Sequence, residues 1–473
     1  MVAASLVLLL GACSNDNLLT PAEHTTGTTS AIVLDPEMAA LELVSEAGWP
    51  LAGEERISKE APASADRILS FDREVLYGDV AHYRFLVQVG PGPHDMFALH
   101  RVVREREPNE PIQTRASIFL QHGDAVGFVK FIFGSASASV PDDRSYAVYL
   151  AMSGVDVWGI DQPWILVPQS TSDFSFMADW GLQHQVDNLE VAIATARNAR
   201  RLTGSGFHKM LLLGYSSGVW TGYALLNQET QQPPGLRNVT GYIALDGYYK
   251  TNDEDQRLSD CAGTQALQAR LDSGDYADQT PTLFRVLGQL AQLIPSGPSP
   301  VFPGFTNRLA ALFAGTATWN LATPSWFHYV GGYFDVNGLP TGLRYSDEQE
   351  FYDFLQTAAY YEPVRFMCDY SRVGCDEEEV PFDDHIGEID VPIFEVGDAG
   401  GLSSLSNMTE LIGSRDASVL YVALLGPDER RIDIGHIDLM ISPQAPELFW
   451  HPMLEWIQSH SPGPRGRGQT TSD

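Results

Sequence analysis

Ser216 stands in the run Gly214-Tyr215-Ser216-Ser217-Gly218, directly after the apolar stretch Met210 to Leu213 and ahead of a helix-like stretch from Val219 to Glu229. A strand that turns sharply into a helix around a serine needs small residues two positions to either side, so that the two elements approach without collision. The serine oxygen is then exposed at the helix start, where unpaired backbone N–H groups can bind a developing oxyanion. The chemistry this suits is nucleophilic attack by a hydroxyl. Serine is a poor nucleophile at neutral pH, so it needs an imidazole, whose ordinary pKa of ~6.5 lets it take the proton and return it to a leaving group. The imidazole in turn needs a carboxylate that fixes its tautomer and stabilises the transient imidazolium.

In this strand-and-helix context the serine motif resembles that of the α/β-hydrolase family, specifically its serine esterases and lipases. The resemblance covers about 67–249 and 386–460. The family's chain order is nucleophile, acid, histidine, which implies partners downstream of Ser216. Asp390-Val391-Pro392-Ile393-Phe394-Glu395-Val396-Gly397-Asp398 is similar to the family's penultimate core strand, and makes Asp398 the leading acid. Asp246, after Ile243-Ala244-Leu245, is the competitor, since some lipases carry the acid on that earlier strand. Ile434-Gly435-His436-Ile437-Asp438 follows the last strand, so His436 is the implied proton shuttle; Asp433 and Asp438 lie too close to it in sequence to serve as its acid.

Upstream, Leu120-Gln121-His122-Gly123-Asp124 resembles the His-Gly turn that carries one oxyanion-hole donor, and the implied donors are the backbone N–H groups of Asp124 and Ser217. The commoner pattern has an apolar residue after His-Gly. An ionised Asp124 facing the pocket would oppose the developing charge, so its side chain must point away or be paired. His122 is expected to be a structural hydrogen-bonding residue. In the resembling epoxide hydrolases and dehalogenases the residue at Ser216 is an aspartate, which disfavours both activities here.

The elements that must position these residues follow from hydrophobic periodicity. From Arg67 onward strand-like and helix-like runs alternate, the pattern of a mostly parallel sheet with helices on its faces, hence an α/β class. Strands are expected at Ala81 to Val89, Met96 to Val103, Ser117 to Gln121, Val155 to Ile160, Thr240 to Leu245 and Ser418 to Leu424, and helices at Pro36 to Ala47, Asp142 to Met152 and Ala178 to Leu202. Arg200 and Arg201 before Gly204 mark the end of the last of these, where cations and glycine are favoured. The core is assigned to 67–249 and 386–473, enough for eight strands. A cap insertion is assigned to 250–385, where the resembling family commonly covers its active site. Its aromatics, including Trp319, Trp326, Phe327, Tyr329 and Phe334, are individually cap core but as a group favour an apolar acyl or aromatic ester pocket.

Composition narrows the partners. The 473 residues include 61 Asp or Glu against 29 Lys or Arg, a formal charge of −32. That balance excludes a protein that tracks nucleic-acid phosphates and one that adheres to an anionic bilayer through a basic surface. With 44% apolar residues the chain can bury a large core. There is no Walker loop, and Gly204-Ser205-Gly206 lacks the rest of a dinucleotide fingerprint. Asp376, Glu377, Glu378 and Glu379 with Asp383 and Asp384 match no EF-hand and read as a solvated acidic loop, so neither metal nor cofactor is expected.

At the start, Val2 to Leu10 is too short to span a bilayer. Leu10-Gly11-Ala12-Cys13 resembles the lipobox of bacterial lipoproteins, which implies a signal at 1–13, lipidation of Cys13, a tether and extension at 14–66, and an exported, membrane-anchored protein. Without lipidation it would be secreted or periplasmic. In an oxidising compartment Cys368 and Cys375 could close a small loop and leave Cys261 out, but spacing does not decide the pairing. The reading is an exported hydrolase of carboxylic esters acting on a small-molecule substrate through an acyl-enzyme. A serine peptidase or acyltransferase would use the same residues, and a substrate-binding lipoprotein that had lost turnover would keep the fold. All three remain open at this point.

Overall fold

In the computed structural model, which describes residues 34–52, 67–376 and 380–461, the run Met210–Tyr215 is a strand buried along its whole length. Leu211, Leu213 and Tyr215 pack into one apolar cluster, Met210 and Leu212 into another. This is what a period of two demands of a strand covered on both faces. The sheet has nine strands: β1 (Ile68–Tyr77), β2 (Val80–Gln88), β3 (Met96–Arg104), β4 (Ser117–Gln121), β5 (Asp156–Asp161), β6 (Met210–Tyr215), β7 (Val239–Leu245), β8 (Ile393–Asp398) and β9 (Ala417–Val422). Their spatial order is β1-β2-β3-β5-β4-β6-β7-β8-β9. Neighbours from β5 through β9 are parallel, while β1, β2 and β3 pair antiparallel and β3 runs antiparallel to β5. The ninth strand beyond the eight expected is accommodated by β1, a charge-rich edge strand with Leu69 and Val75 exposed.

Helices α1 (Pro36–Glu46), α3 (Leu182–Leu202) and α4 (Gly218–Thr230) cover one face through Leu43, Val186, Leu189, Ile193, Val219 and Tyr223. On the other face lie α2 (Tyr146–Met152) and α10 (His451–His460), through Tyr146, Leu150, Met453 and Ile457. Two helix starts differ from expectation. α2 begins at Tyr146, not Asp142, and α3 begins at Leu182, not Ala178. Gly181 precedes α3, and the Leu182 amide is satisfied by Asp369 Oδ2 at 3.0 Å, a cap supplied by a distant element. Arg200 and Arg201 stand in the last turn of α3, as expected, but Arg200 points inward. It is buried, paired with Asp156 and donating to Thr114 O at 3.0 Å, while Arg101 donates to both Asp156 oxygens, at 2.9 and 3.1 Å.

Between β7 and β8 run α5 (Glu254–Asp272), α6 (Thr280–Leu293), α7 (Asn307–Thr316), α8 (Glu348–Gln356) and α9 (Val364–Cys375), with two short ribbons. The disulfide joins Cys261 of α5 to Cys375 of α9, not Cys368 to Cys375. Cys368 and Cys375 sit on one helix, seven residues and ~10 Å apart at 1.5 Å per residue, beyond the Cα separation a disulfide tolerates. The Cys261 and Cys375 Cα atoms are 4.6 Å apart. Part of the expected acidic loop is ion-paired: Lys250 Nζ is 2.7 Å from Asp376, contacts Asp383, and donates to Val373 O at 3.1 Å. The lipobox with Cys13, most of 14–66 and Glu377 to Glu379 lie outside the described residues. Among the described residues no helix is long and apolar enough to cross a membrane.

Candidate active site

β6 delivers Ser216 just past its C-terminal end in a left-handed backbone conformation, φ +58°, that a side-chain-bearing residue adopts only at a cost. Close packing enforces it. A Cβ on Gly214 would stand 2.3 Å from the Gly218 carbonyl oxygen, and one on Gly218 would stand 2.6 Å from the His122 carbonyl oxygen. The serine amide is tied to β7 by a 2.9 Å hydrogen bond to Leu245 O.

His436 lies in the loop between β9 and the single helical turn Asp438–Ile441. Its amide donates to His328 O at 3.2 Å, and the Tyr215 hydroxyl donates to its carbonyl at 2.7 Å. The imidazole stacks on the Tyr215 ring at 4.8 Å with Phe327 edge-on at 5.7 Å. So held, Nε2 is 2.9 Å from Ser216 Oγ and Nδ1 is 2.6 Å from Asp246 Oδ2. The other Asp246 oxygen accepts from the Leu402 and Ser403 amides, both at 3.1 Å. A carboxylate so surrounded by donors fixes the tautomer with the proton on Nδ1, leaving the Nε2 lone pair toward the serine.

The acid contacting His436 is therefore Asp246, and Asp398, the leading acid expected from the Gly397-Asp398 turn, does not hydrogen-bond to it. Sheet register explains why. Tyr215 pairs with Leu245, so Ser216 and Asp246 follow level positions on adjacent strands. Asp398 ends β8, one strand further out, two residues beyond the Val396 that pairs with Leu245. Asp398 is fully buried, and burial followed by the Asp246 and Asp438 carboxylates drives its pKa well above the ordinary range. Its neutral form is thereby favoured, beside the carboxyl group that engages the histidine. Asp246 itself has φ +46°, a conformation aspartate tolerates better than most residues.

The other expected residues converge here. Asp124 and Ser217 line the same cavity as Ser216 and His436, and their amides have no acceptor among the described residues. His122 is structural: its ring lies 2.8 Å from Gly123 O and accepts the Gln162 amide at 3.0 Å, and burial lowers its pKa to about 4. The cavity, about 850 Å³, is walled by the segment between β7 and β8, including Phe284, Phe327, Tyr329, Phe354 and Tyr370. Trp319 and Phe334 do not reach it and pack on each other at 5.7 Å. Tyr215, Lys130 and Glu362 were not expected from the sequence. The second position of the serine motif hinted at Tyr215; nothing local marked the other two.

No family model matches the sequence, and no curated protein does. Among solved structures, a candidate lipase from Sulfolobus solfataricus superposes with a TM-score of 0.56 over 83% of this chain and 99% of its own, at 16% identity. The fold is that of the α/β hydrolases. Two further hydrolase structures, a monoacylglycerol lipase from Paleococcus ferrophilus and an esterase from Thermogutta terrifontis, each match at 12% identity and a TM-score of 0.38. They cover 74% and 80% of this chain, and 97% and 99% of their own. Within the α/β-hydrolase fold, the serine turn of this chain follows a central parallel strand, β6, flanked by β4 and β7.

Proposed function

We propose that the protein is a serine hydrolase of carboxylic esters, with Ser216 as nucleophile, His436 as general base and acid, and Asp246 as the orienting carboxylate. The observation that carries this is the unbroken chain of contacts Ser216 Oγ, His436 Nε2, His436 Nδ1 and Asp246 Oδ2, at 2.9 and 2.6 Å. As Ser216 Oγ attacks the ester carbonyl, its proton passes to Nε2, and the new imidazolium is balanced by Asp246. The carbonyl oxygen becomes an oxyanion, received by the Asp124 and Ser217 amides. Collapse breaks the bond to the alcohol, which takes the proton from Nε2 and leaves an acyl-serine. Water then repeats the sequence and releases the acid. The aromatic cavity wall supports an apolar acyl or aromatic ester.

The test is labelling by a fluorophosphonate together with hydrolysis of p-nitrophenyl esters of increasing chain length. Wild type should be labelled and turn over, and Ser216→Ala should do neither. By its resemblance to a lipobox, the Cys13 segment supports an exported, membrane-anchored enzyme. Radiolabelled palmitate should enter wild type but not Cys13→Ala, and equal labelling would remove the anchor from this proposal.

A further inference from the structure

The turn that presents the Asp124 amide is strained and is held from outside the core. Ala125 has φ +59°, which costs an alanine and persists only where the surroundings impose it. The restraint comes from the segment between β7 and β8. The Ala359 amide donates to Ala125 O at 2.6 Å, and three residues on, Glu362 lines the same cavity as Asp124, with the two carboxyl groups close enough to share a proton. Glu362 is 4% exposed and lies in a two-residue strand opposite Asp278. It lines the cavity that holds Ser216 and His436.

We propose that Glu362 is a positioning residue for the oxyanion site: with the Ala359 amide it clamps the Asp124–Ala125 turn, so that the inserted segment holds the Asp124 N–H where the oxyanion forms. This rests on the hydrolase reading above. It also accounts for an aspartate after His-Gly, because the Asp124 side chain is engaged by a proton donor instead of standing as a bare charge beside the reacting oxygen.

The clamp works only while one proton lies between the two carboxyl groups, since two ionised carboxylates in contact repel. Burial, then Asp124, raises the Glu362 pKa well above the ordinary range, which favours the form that can donate. Two other charges face the pair. Asp278 also favours the protonated form, and is itself bound to Arg270 at 2.7 Å. Lys130 opposes it; its Nζ sits 4.6 Å from the Tyr215 ring centroid, and burial lowers its pKa to about 7. The phenols of Tyr329 and Tyr370 complete the surroundings. The sign is then fixed. As pH rises through the raised Glu362 pKa the proton is lost, the carboxylates repel, and kcat falls on the alkaline side with KM little changed.

The experiment measures kcat and KM for a p-nitrophenyl ester across neutral and alkaline pH in the full chain. Glu362→Gln keeps a donor toward Asp124 at every pH, so it should retain near wild-type kcat at neutral pH and lose the alkaline fall. Glu362→Ala removes the donor and should lower kcat by ~10- to 100-fold with KM within ~3-fold, less than removal of an oxyanion donor outright. If Glu362→Ala fails to fold, the Gln pH profile still decides. Wild-type kcat in both variants with an unchanged alkaline limb would overturn the clamp. So would a Gln variant as slow as the Ala variant, while both are still labelled at Ser216. Absence of labelling in wild type would instead overturn the hydrolase reading itself.

Discussion

Exchange of Asp246 for asparagine tests the site most sharply, because sequence pattern and structure rank the two candidate acids in opposite order. In Asp246→Asn the amide oxygen is expected to stay on the Leu402 and Ser403 amides, which now approach one carboxylate oxygen at 3.1 Å each. That turns the NH₂ group toward His436 Nδ1, where Oδ2 now lies at 2.6 Å. A donor there demands the tautomer with its proton on Nε2, which faces Ser216 with a hydrogen and no lone pair. Misassigned tautomers of this kind cost ~10⁴ in kcat, or ~5 kcal/mol at 1.36 kcal/mol per decade. Asp398→Asn replaces a buried carboxyl that makes no hydrogen bond to His436, and whose neutral form burial favours, by a neutral amide, so it should cost less than ~10-fold, ~1.4 kcal/mol. The assay is kcat for p-nitrophenyl ester hydrolysis, with thermal unfolding of each variant to confirm folding. A larger loss in Asp398→Asn than in Asp246→Asn would refute the assignment of Asp246 and the register argument behind it.

Three further outcomes are expected. Ser216→Ala and Ser216→Gly should both be inactive, but the glycine variant should be the more stable by ~1 kcal/mol because its backbone tolerates φ +58°, a difference read from Tm. Phe327→Ala should change the ratio of kcat/KM between short and long acyl esters, whereas Trp319→Ala, outside the cavity, should leave it unchanged; equal shifts would mean that Phe327 is only packing. Cys261→Ser should lower stability by up to ~5 kcal/mol on the loop-entropy relation, since the disulfide spans 114 residues, and denaturant unfolding under oxidising conditions reads the loss.

Much of the core was legible because its signals are local. Met210–Tyr215 and Ser117–Gln121 are runs whose apolar character matches burial on both faces, and Gly214 is required by its contact with Gly218 across the turn. Where the structure departs from expectation, distant chain intervenes. The start of α3 depends on Asp369 from α9, and Arg200 is drawn inward by Asp156 on β5. The cysteine pairing turns on α5 and α9 lying side by side, which their sequences do not encode individually.

The sequence by itself determined the α/β class, the strained serine turn, the histidine after the last strand and the two amides beside them. The class and the serine turn follow from periodicity, residue type and short spacing, whereas the histidine and the two amides are what the resemblance to the α/β hydrolases implied. Only the tertiary structure decided which carboxylate engages His436. Asp246 and Asp398 both stand at the ends of parallel core strands, and the choice between them came from sheet register, which sets Asp246 level with Ser216, and from burial, which favours the neutral form of Asp398. The same holds for Glu362, whose place against Asp124 depends on a segment separated from it by most of the core and carries no mark in the residues around it. Register and burial are properties of the assembled sheet, set by the packing of many side chains at once.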